Sequence, residues 1–154
     1  MSGLYFEEFR VGHTFKHAIT RTVTEMDNIL FCSATINTQP LHIDAHFAAK
    51  TEFGRQLVNS VFTLGLVIGI SVTDTTLGTT VGNLGMTDVK FPGPLFHGDT
   101  VRAETEVIAA RESKSRPTNG IIEFEHRGYN QDNKLICSCR RTALMHKRPK
   151  AVAA

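Results

Sequence analysis

The stretch TINTQPLHIDAHFA, residues 35–48, contains the side chain of this sequence that is best suited to acid–base chemistry. His42 lies there, two residues after Pro40 and two residues before Asp44. A histidine changes its charge near neutral pH, so it can take a proton from a water molecule or a substrate and return it. A single histidine in a proline-containing loop can equally be a structural hydrogen-bonding group. The residues alone leave both interpretations open.

The composition predicts that this histidine belongs to a globular protein of one domain. The chain has 154 residues, of which 41% are hydrophobic and 21% charged, and this balance favours a packed core over disorder. The net charge of +2 is too small to indicate a nucleic-acid partner. Cys32, Cys137 and Cys139 show no metal-binding spacing, and an odd number of cysteines is typical of a reduced, cytoplasmic protein. We expect neither a metal nor a redox cofactor.

The ends of the sequence and its longest apolar run give no indication of membrane contact. The N-terminal segment carries Glu7 and Glu8 and lacks the apolar core of a signal peptide. The apolar run 61–72 is shorter than the roughly 18 residues that a spanning helix needs. We therefore expect a single domain over residues 1–148, followed by a frayed tail over 149–154.

Helix signals occur in the first half of the chain. Thr24 with Asp27 resembles a capping box and predicts a short helix over 25–34, followed by a loop over 36–43. Asp44 is a plausible N-cap for a second short helix that closes near Gly54. The segment 56–78 is apolar on nearly every face, which predicts a buried helix. Gly65 and Gly69 would give that helix a smooth stripe for close approach of another backbone.

The second half of the chain has the pattern of antiparallel strands. Val101, Ala103, Thr105 and Val107 alternate with charged residues, and the segments 120–129 and 134–146 show similar alternation. A first strand is predicted within 13–24. The fold class is therefore α+β, with a curved antiparallel sheet wrapped around a long, buried central helix.

Three segments of the chain resemble the MaoC-like dehydratases, the (R)-specific enoyl-CoA hydratases of the hotdog fold. QPLHID, residues 39–44, is similar to the hydratase motif Asp-x-Asn-Pro-Leu/Ile-His-x-Asp. FPGPLFHGDTV, residues 91–101, is similar to the segment that enters a long strand of the fold, and residues 112–136 are similar to its closing hairpin. The resemblance implies a hotdog homodimer, which often assembles further, and an acyl-CoA thioester substrate, with coenzyme A only as part of that substrate.

The chain departs from this motif at the position of the family's catalytic aspartate. Aligned on Pro40 and His42, that aspartate falls on Asn37, and the family's asparagine before proline falls on Gln39. An amide is neutral and cannot take or give a proton as a carboxylate does. We therefore expect His42 to be the only proton-transferring residue of the motif, with Asn37 holding a water molecule and His42 in position.

Hydration of an enoyl thioester also needs stabilisation of the negative charge that develops on the thioester oxygen. Backbone N–H groups at the N-terminus of the central helix suit this role, which makes Asn59, Ser60 and Val61 the expected oxyanion and substrate-binding residues. A small basic cluster, Arg111, Lys114 and Arg116, would bind the phosphates of CoA. The alternative for this cluster is an ordinary solvated hairpin end.

The leading interpretation is a hydratase or dehydratase of a short, branched or dicarboxylic CoA thioester, such as mesaconyl-, methylmalyl- or itaconyl-CoA. Two alternatives stay open. A hotdog thioesterase would need a carboxylate in the central helix, and the nearest glutamate, Glu52, precedes that helix. A non-catalytic acyl-CoA binding protein is compatible with the loss of the family's aspartate at Asn37.

Overall fold

The computed structural model describes residues 3–149, so the tail predicted over 149–154 lies outside the described residues apart from Pro149. A 3-10 turn, Phe6–Glu8, is followed by four α-helices and six β-strands. The helices are α1 (Glu25–Ala34), α2 (Pro40–Ile43), α3 (Ala45–Ala48) and α4 (Ser60–Thr75). The strands are β1 (Thr14–Lys16), β2 (Arg21–Thr22), β3 (Thr80–Lys90), β4 (Thr100–Glu112), β5 (Asn119–Tyr129) and β6 (Leu135–His146).

The strands form one antiparallel sheet in the order β1-β4-β5-β6-β3, with β2 also paired to β4. The predicted alternation in the second half is confirmed, because Val101, Ala103, Thr105 and Val107 of β4 are all buried. Ile122 and Phe124 of β5 are fully buried and form a second core cluster with Val107 and Phe9. Since alternate residues of a strand face opposite sides, these residues share the inner face of the sheet, and Val101 and Ala103 form the part of it that packs against α4.

Helix α4 lies close to the sheet because one position of β5 has no side chain. A Cβ atom at Gly128 would lie 2.3 Å from Cγ2 of Val67, which is fully buried in the helix. The opposite face of α4 differs from the prediction of a helix that is buried all round. Val61 is 59% exposed, and Gly65 has no neighbouring atom at its Cβ position. A single sheet covers one side of a helix, so the apolar far side of α4 stays uncovered by residues 3–149.

None of the helices over residues 3–149 is both long and apolar enough to cross a bilayer.

The edge strand β3 was missed by the sequence analysis. Its pairing with β6 shifts register at three places, so its side chains do not follow a simple alternation. Gly82 and Gly85 weaken the strand signal further. The predicted first strand is also divided, into β1 and the short β2.

The segment that carries His42 was predicted as a loop and is instead a helical turn, α2. Proline fixes its own φ near the helical value and has no N–H to satisfy, so Pro40 is a favourable first residue. The prediction that Asp44 is an N-cap is confirmed, since its side chain accepts a 2.9 Å hydrogen bond from the N–H of Phe47. The helix that follows ends at Ala48 rather than near Gly54.

A chain of hydrogen bonds runs from buried side chains of the sheet to the partly exposed Asp74 and ties the C-terminal end of α4 to the sheet. Nε–H of Arg141 donates to Nε2 of His126, 3.1 Å away. Neutral His126 therefore carries its proton on Nδ1, which donates to Oγ1 of Thr105 at 2.9 Å. The hydroxyl of Thr105 donates to Nε2 of His17 at 2.8 Å, and Nδ1–H of His17 donates to Asp74 at 2.7 Å. Each donor in this chain has a single acceptor, so the hydrogen bonds hold α4 in one position against β4, β5 and β6.

The position of His126 in this chain predicts that the protein loses stability in acid. Burial first, then the charges of Arg141 and His17, lowers the pKa of His126 from 6.5 to about 3. Below pH 6.5, His126 binds a proton in the unfolded chain but stays neutral in the folded chain. The contribution of neutral His126 to the stability is therefore fully present above pH 6.5 and decreases as the pH falls towards 3. Urea unfolding between pH 7 and pH 4 should show this loss. In the variant His126→Gln, the slope of the free energy of unfolding against pH should be smaller by up to one proton. The exposed control His46→Gln should keep the full slope, and identical slopes for all three proteins would contradict the prediction.

Candidate active site

The hydrogen bond made by His42 determines which of its ring nitrogens can act as a base. Nδ1 lies 2.7 Å from the backbone carbonyl oxygen of Leu57. A carbonyl oxygen only accepts hydrogen bonds, so Nδ1 carries the proton of the neutral ring. Nε2 is left with a free lone pair. His42 is therefore oriented and held in the tautomer that a general base requires.

A buried asparagine that the sequence analysis missed connects His42 to the N-terminus of α4. Asn28 of α1 is fully buried, and its Nδ2 lies 3.0 Å from the carbonyl oxygen of His42 and 3.2 Å from that of Leu57. The same nitrogen lies 3.1 Å from Nε2 of His97. The side-chain oxygen of Asn28 accepts a 2.9 Å hydrogen bond from the N–H of Asn59. One amide group thus sets the relative position of α2, the Leu57 segment and α4.

The N-terminus of α4 presents donors of the kind that stabilise an oxyanion. Asn59 is the N-cap, and its side-chain oxygen accepts a 2.9 Å hydrogen bond from the N–H of Val61. The N–H of Val61 is therefore already used by the helix cap and is not available to bind an oxyanion. The N–H of Ser60 has no hydrogen-bond acceptor among residues 3–149. It lies at the positive end of the helix dipole, where a negatively charged oxygen is favoured.

A cleft of about 260 Å³ opens beside this helix terminus. Ser60 and Thr63 of α4 supply its polar side, and Leu57, whose carbonyl holds His42, also borders it. The remaining lining residues are mainly apolar: Phe53, Val58, Phe91, Pro92, Gly93, Pro94, Leu95 and Ile136. The arrangement places an oxyanion-type donor at a space for a short apolar acyl group, and His42 is hydrogen-bonded to Leu57 at the border of that space.

Asn37 forms part of the turn that leads into α2. Its side-chain oxygen accepts a 3.0 Å hydrogen bond from the N–H of Gln39, two residues on, which is the pattern of an Asx turn. It makes no hydrogen bond with His42 among the described residues. Its Nδ2 group is left as a donor without an acceptor over residues 3–149. The structure therefore gives Asn37 a local structural contact and one remaining donor.

The basic cluster Arg111, Lys114 and Arg116 lies far from His42 of the same chain. Arg111 lies near the end of β4, and Lys114 and Arg116 lie in the hairpin between β4 and β5, at the opposite end of β4 from the cleft. Eleven residues of strand at about 3.3 Å each separate Thr100 from Arg111 by roughly 35 Å. All three side chains are exposed. A contact between this cluster and CoA would have to involve the cleft of another subunit, and it stays a prediction.

No group of three or more His, Cys, Asp or Glu side chains within residues 3–149 is arranged to hold a metal ion.

Comparison with known proteins points to enzymes of CoA thioester metabolism. The chain is 32% identical to a mesaconyl-CoA hydratase of Cereibacter sphaeroides, in an alignment that covers 99% of this chain and 44% of the relative. It is also 32% identical to a beta-methylmalyl-CoA dehydratase of Chloroflexus aurantiacus, over 95% of this chain and 41% of the relative. The chain thus spans less than half the length of these two curated relatives.

Structural comparison and a family model agree on the fold. A Mycobacterium tuberculosis protein described as having a double hotdog fold superposes with a TM-score of 0.86 at 22% identity, over 99% of this chain and 47% of that one. The sheet and the central helix described above are accordingly those of an α+β hotdog fold, as the sequence predicted. A family model described as MaoC like domain matches residues 7–129. Because that match includes α2, α4 and five of the six strands, the chain belongs to the MaoC-like dehydratase family.

Proposed function

We propose that this protein is a hydro-lyase that adds water to, or removes it from, a short enoyl-CoA thioester. The names of two of its curated relatives support a branched or dicarboxylic acyl group, as in mesaconyl- or beta-methylmalyl-CoA. The observation that carries the proposal is the hydrogen bond from Nδ1–H of His42 to the carbonyl oxygen of Leu57, a residue that borders the cleft, because this bond leaves Nε2 of His42 as the base. Coenzyme A enters only as part of the substrate, and no other cofactor is included in the proposal.

The proposed reaction uses His42 as both base and acid. Nε2 of His42 takes a proton from a water molecule while the water oxygen bonds to C3 of the enoyl group. The electrons of the C2–C3 double bond move to the thioester oxygen, where the N–H of Ser60 would stabilise the negative charge. The imidazolium then returns its proton to C2, the charge on oxygen returns to the carbonyl, and the hydroxyacyl thioester is complete. One protonatable group can perform both steps on the same face of the double bond.

Asn37 is proposed to hold the attacking water through its Nδ2 group. The water oxygen would accept from Nδ2, which leaves a water proton free to point at His42. We expect Asn37→Ala to lower kcat about tenfold, since one neutral hydrogen bond is lost. Asn37→Asp should add a second ionisation to the pH–rate profile, because a carboxyl group would then titrate beside His42. If both variants keep the full rate and the original profile, Asn37 takes no part in the reaction.

We also propose that two copies of the chain form the working unit. Support comes from the apolar far side of α4 and from the edge strand β3, whose Val81, Leu84, Met86 and Val89 are all exposed. The chain covers 47% of a structural neighbour described as a double hotdog, as expected if a second copy takes the place of the second half. Light scattering should give the mass of two chains or a multiple of it. A monomer at micromolar concentration would reject this part of the proposal.

A cytoplasmic location completes the proposal. It is supported by the three cysteines of the chain, which are free and buried.

The experiment that tests the function is a hydration assay on crotonyl-, mesaconyl- and itaconyl-CoA, followed by loss of the absorbance of the conjugated thioester. Turnover of at least one substrate is expected. Binding of these thioesters without turnover would favour the acyl-CoA binding protein instead. Release of free thiol would indicate a thioesterase, although the first turn of α4 contains no acidic residue that could activate water.

A further inference from the structure

One arginine near the cleft is held in place but has no anionic partner. The guanidinium carbon of Arg55 lies 3.9 Å from the centre of the Phe96 ring. Among residues 3–149 this guanidinium pairs with no carboxylate. Stacking on an aromatic face restrains the planar group while the N–H edges stay free. Those edges match the two oxygens of a carboxylate.

The ring that supports Arg55 packs against a residue that lines the cleft. Phe96 contacts Phe53 edge to face, with ring centres 6.4 Å apart, and Phe53 lines the cleft. Phe96 also pairs through its backbone with Leu57, whose carbonyl holds His42. Arg55 precedes Leu57 by two residues. The cation is therefore carried by the same short segment that orients the proposed base.

A neutral hydrogen-bond donor lies close to the same arginine. Burial lowers the pKa of His97; the carboxylate of Glu25 opposes this shift, and the charge of Arg55 reinforces it. Nε2 of His97 faces the amide nitrogen of Asn28, so the neutral ring carries its proton on Nδ1. The lining of the cleft itself includes no charged side chain. An acyl group with a second carboxylate would need a cation at the edge of such a cleft, whereas a purely hydrocarbon acyl group would not.

We propose that Arg55 determines substrate class by binding the free carboxylate of a dicarboxylic enoyl-CoA thioester, an inference that rests on the hydratase function proposed above. The carboxylate of the acyl group would accept two hydrogen bonds from the guanidinium on Phe96. Binding there would hold the double bond against His42. Thioesters without a second carboxylate would still enter the cleft but would gain nothing from Arg55.

The test compares Arg55→Gln with the wild-type protein on two substrates that carry the same CoA. We expect kcat/KM for mesaconyl-CoA to fall about 100-fold, because a charge-assisted bidentate contact is lost. For crotonyl-CoA, which has no free carboxylate, the change should stay within about twofold. For Arg55→Lys, kcat/KM for mesaconyl-CoA should lie between the values of the wild-type protein and Arg55→Gln, since lysine keeps the positive charge but lacks the planar guanidinium group. Arg10→Gln, another exposed arginine, is the matched control and should behave as wild type on both substrates.

The other outcomes contradict the inference in distinguishable ways. Equal losses on both thioesters would mean that Arg55 binds the phosphates of CoA rather than the acyl carboxylate. Unchanged rates on both would mean that Arg55 is only a solvated cation. Absence of turnover by the wild-type protein on both substrates would reject the hydratase function itself, and the substrate assignment with it.

Discussion

Replacing His42 with alanine is expected to lower kcat for hydration roughly 1,000-fold, while the protein stays folded. General acid–base catalysis by one positioned group contributes about 10²- to 10⁴-fold, and here the same imidazole would move the proton in both steps. KM should change little, because the acyl group and CoA make their contacts elsewhere. The loss of the hydrogen bond to Leu57 costs only about 1 kcal/mol of stability.

The assay follows the absorbance of the conjugated thioester, and circular dichroism checks the fold. His46→Ala is the matched control, since His46 is an exposed histidine four residues away, and it should keep the wild-type rate. If His42→Ala retained more than about a tenth of the wild-type kcat, the base would have to be another group.

Replacing Asn28 with alanine is expected to lower both activity and stability, although Asn28 contacts only the backbone of His42 and not its imidazole ring. The change removes the donor shared by the carbonyls of His42 and Leu57 and leaves the N–H of Asn59 without its acceptor. Buried polar groups without partners cost about 1–3 kcal/mol each, so we expect about 3 kcal/mol of destabilisation in urea unfolding. kcat should fall about 100-fold because His42 and the oxyanion donor lose their fixed separation.

A double-mutant cycle distinguishes positioning from general damage. In the His42→Ala background, Asn28→Ala should lower the residual rate little further, because there is no base left to position. Ser33→Ala, on the exposed face of α1, is the control and should leave both rate and stability unchanged. Independent, multiplicative losses would show that Asn28 acts on the fold alone.

Much of the fold could be predicted because its signals are local. The capping box of Thr24 and Asp27 is present, and α1 has the predicted bounds. Alternation identified β4 and β5 because each has one buried face. β3 could not be recognised in this way, since its register shifts break the alternation. The exposed face of α4 was not predicted either, because an apolar surface does not reveal whether its own chain or a second one covers it.

The candidate site was only partly predictable for a related reason. His42 could be identified from residue type and motif, but its tautomer depends on the carbonyl of Leu57, which only the folded chain brings near. Asn28 and Asn59 are 31 residues apart, and no local pattern connects them. One signal was available in the sequence: Asn28 lies one helical turn before Cys32, so a polar side chain faces inward. A buried amide in that position requires partners.

The exposed edge strand β3 has a consequence for how this protein responds to dilution. The backbone edge of β3 that faces away from β6, and the apolar side chains of Leu84 and Met86, are not covered by any part of residues 3–149. In the proposed dimer, each copy would draw part of its folding free energy from the other. Stability would then obey mass action, and the Tm would rise with protein concentration. Strongly diluted enzyme would lose activity by dissociation and would expose a strand edge on which further chains could add.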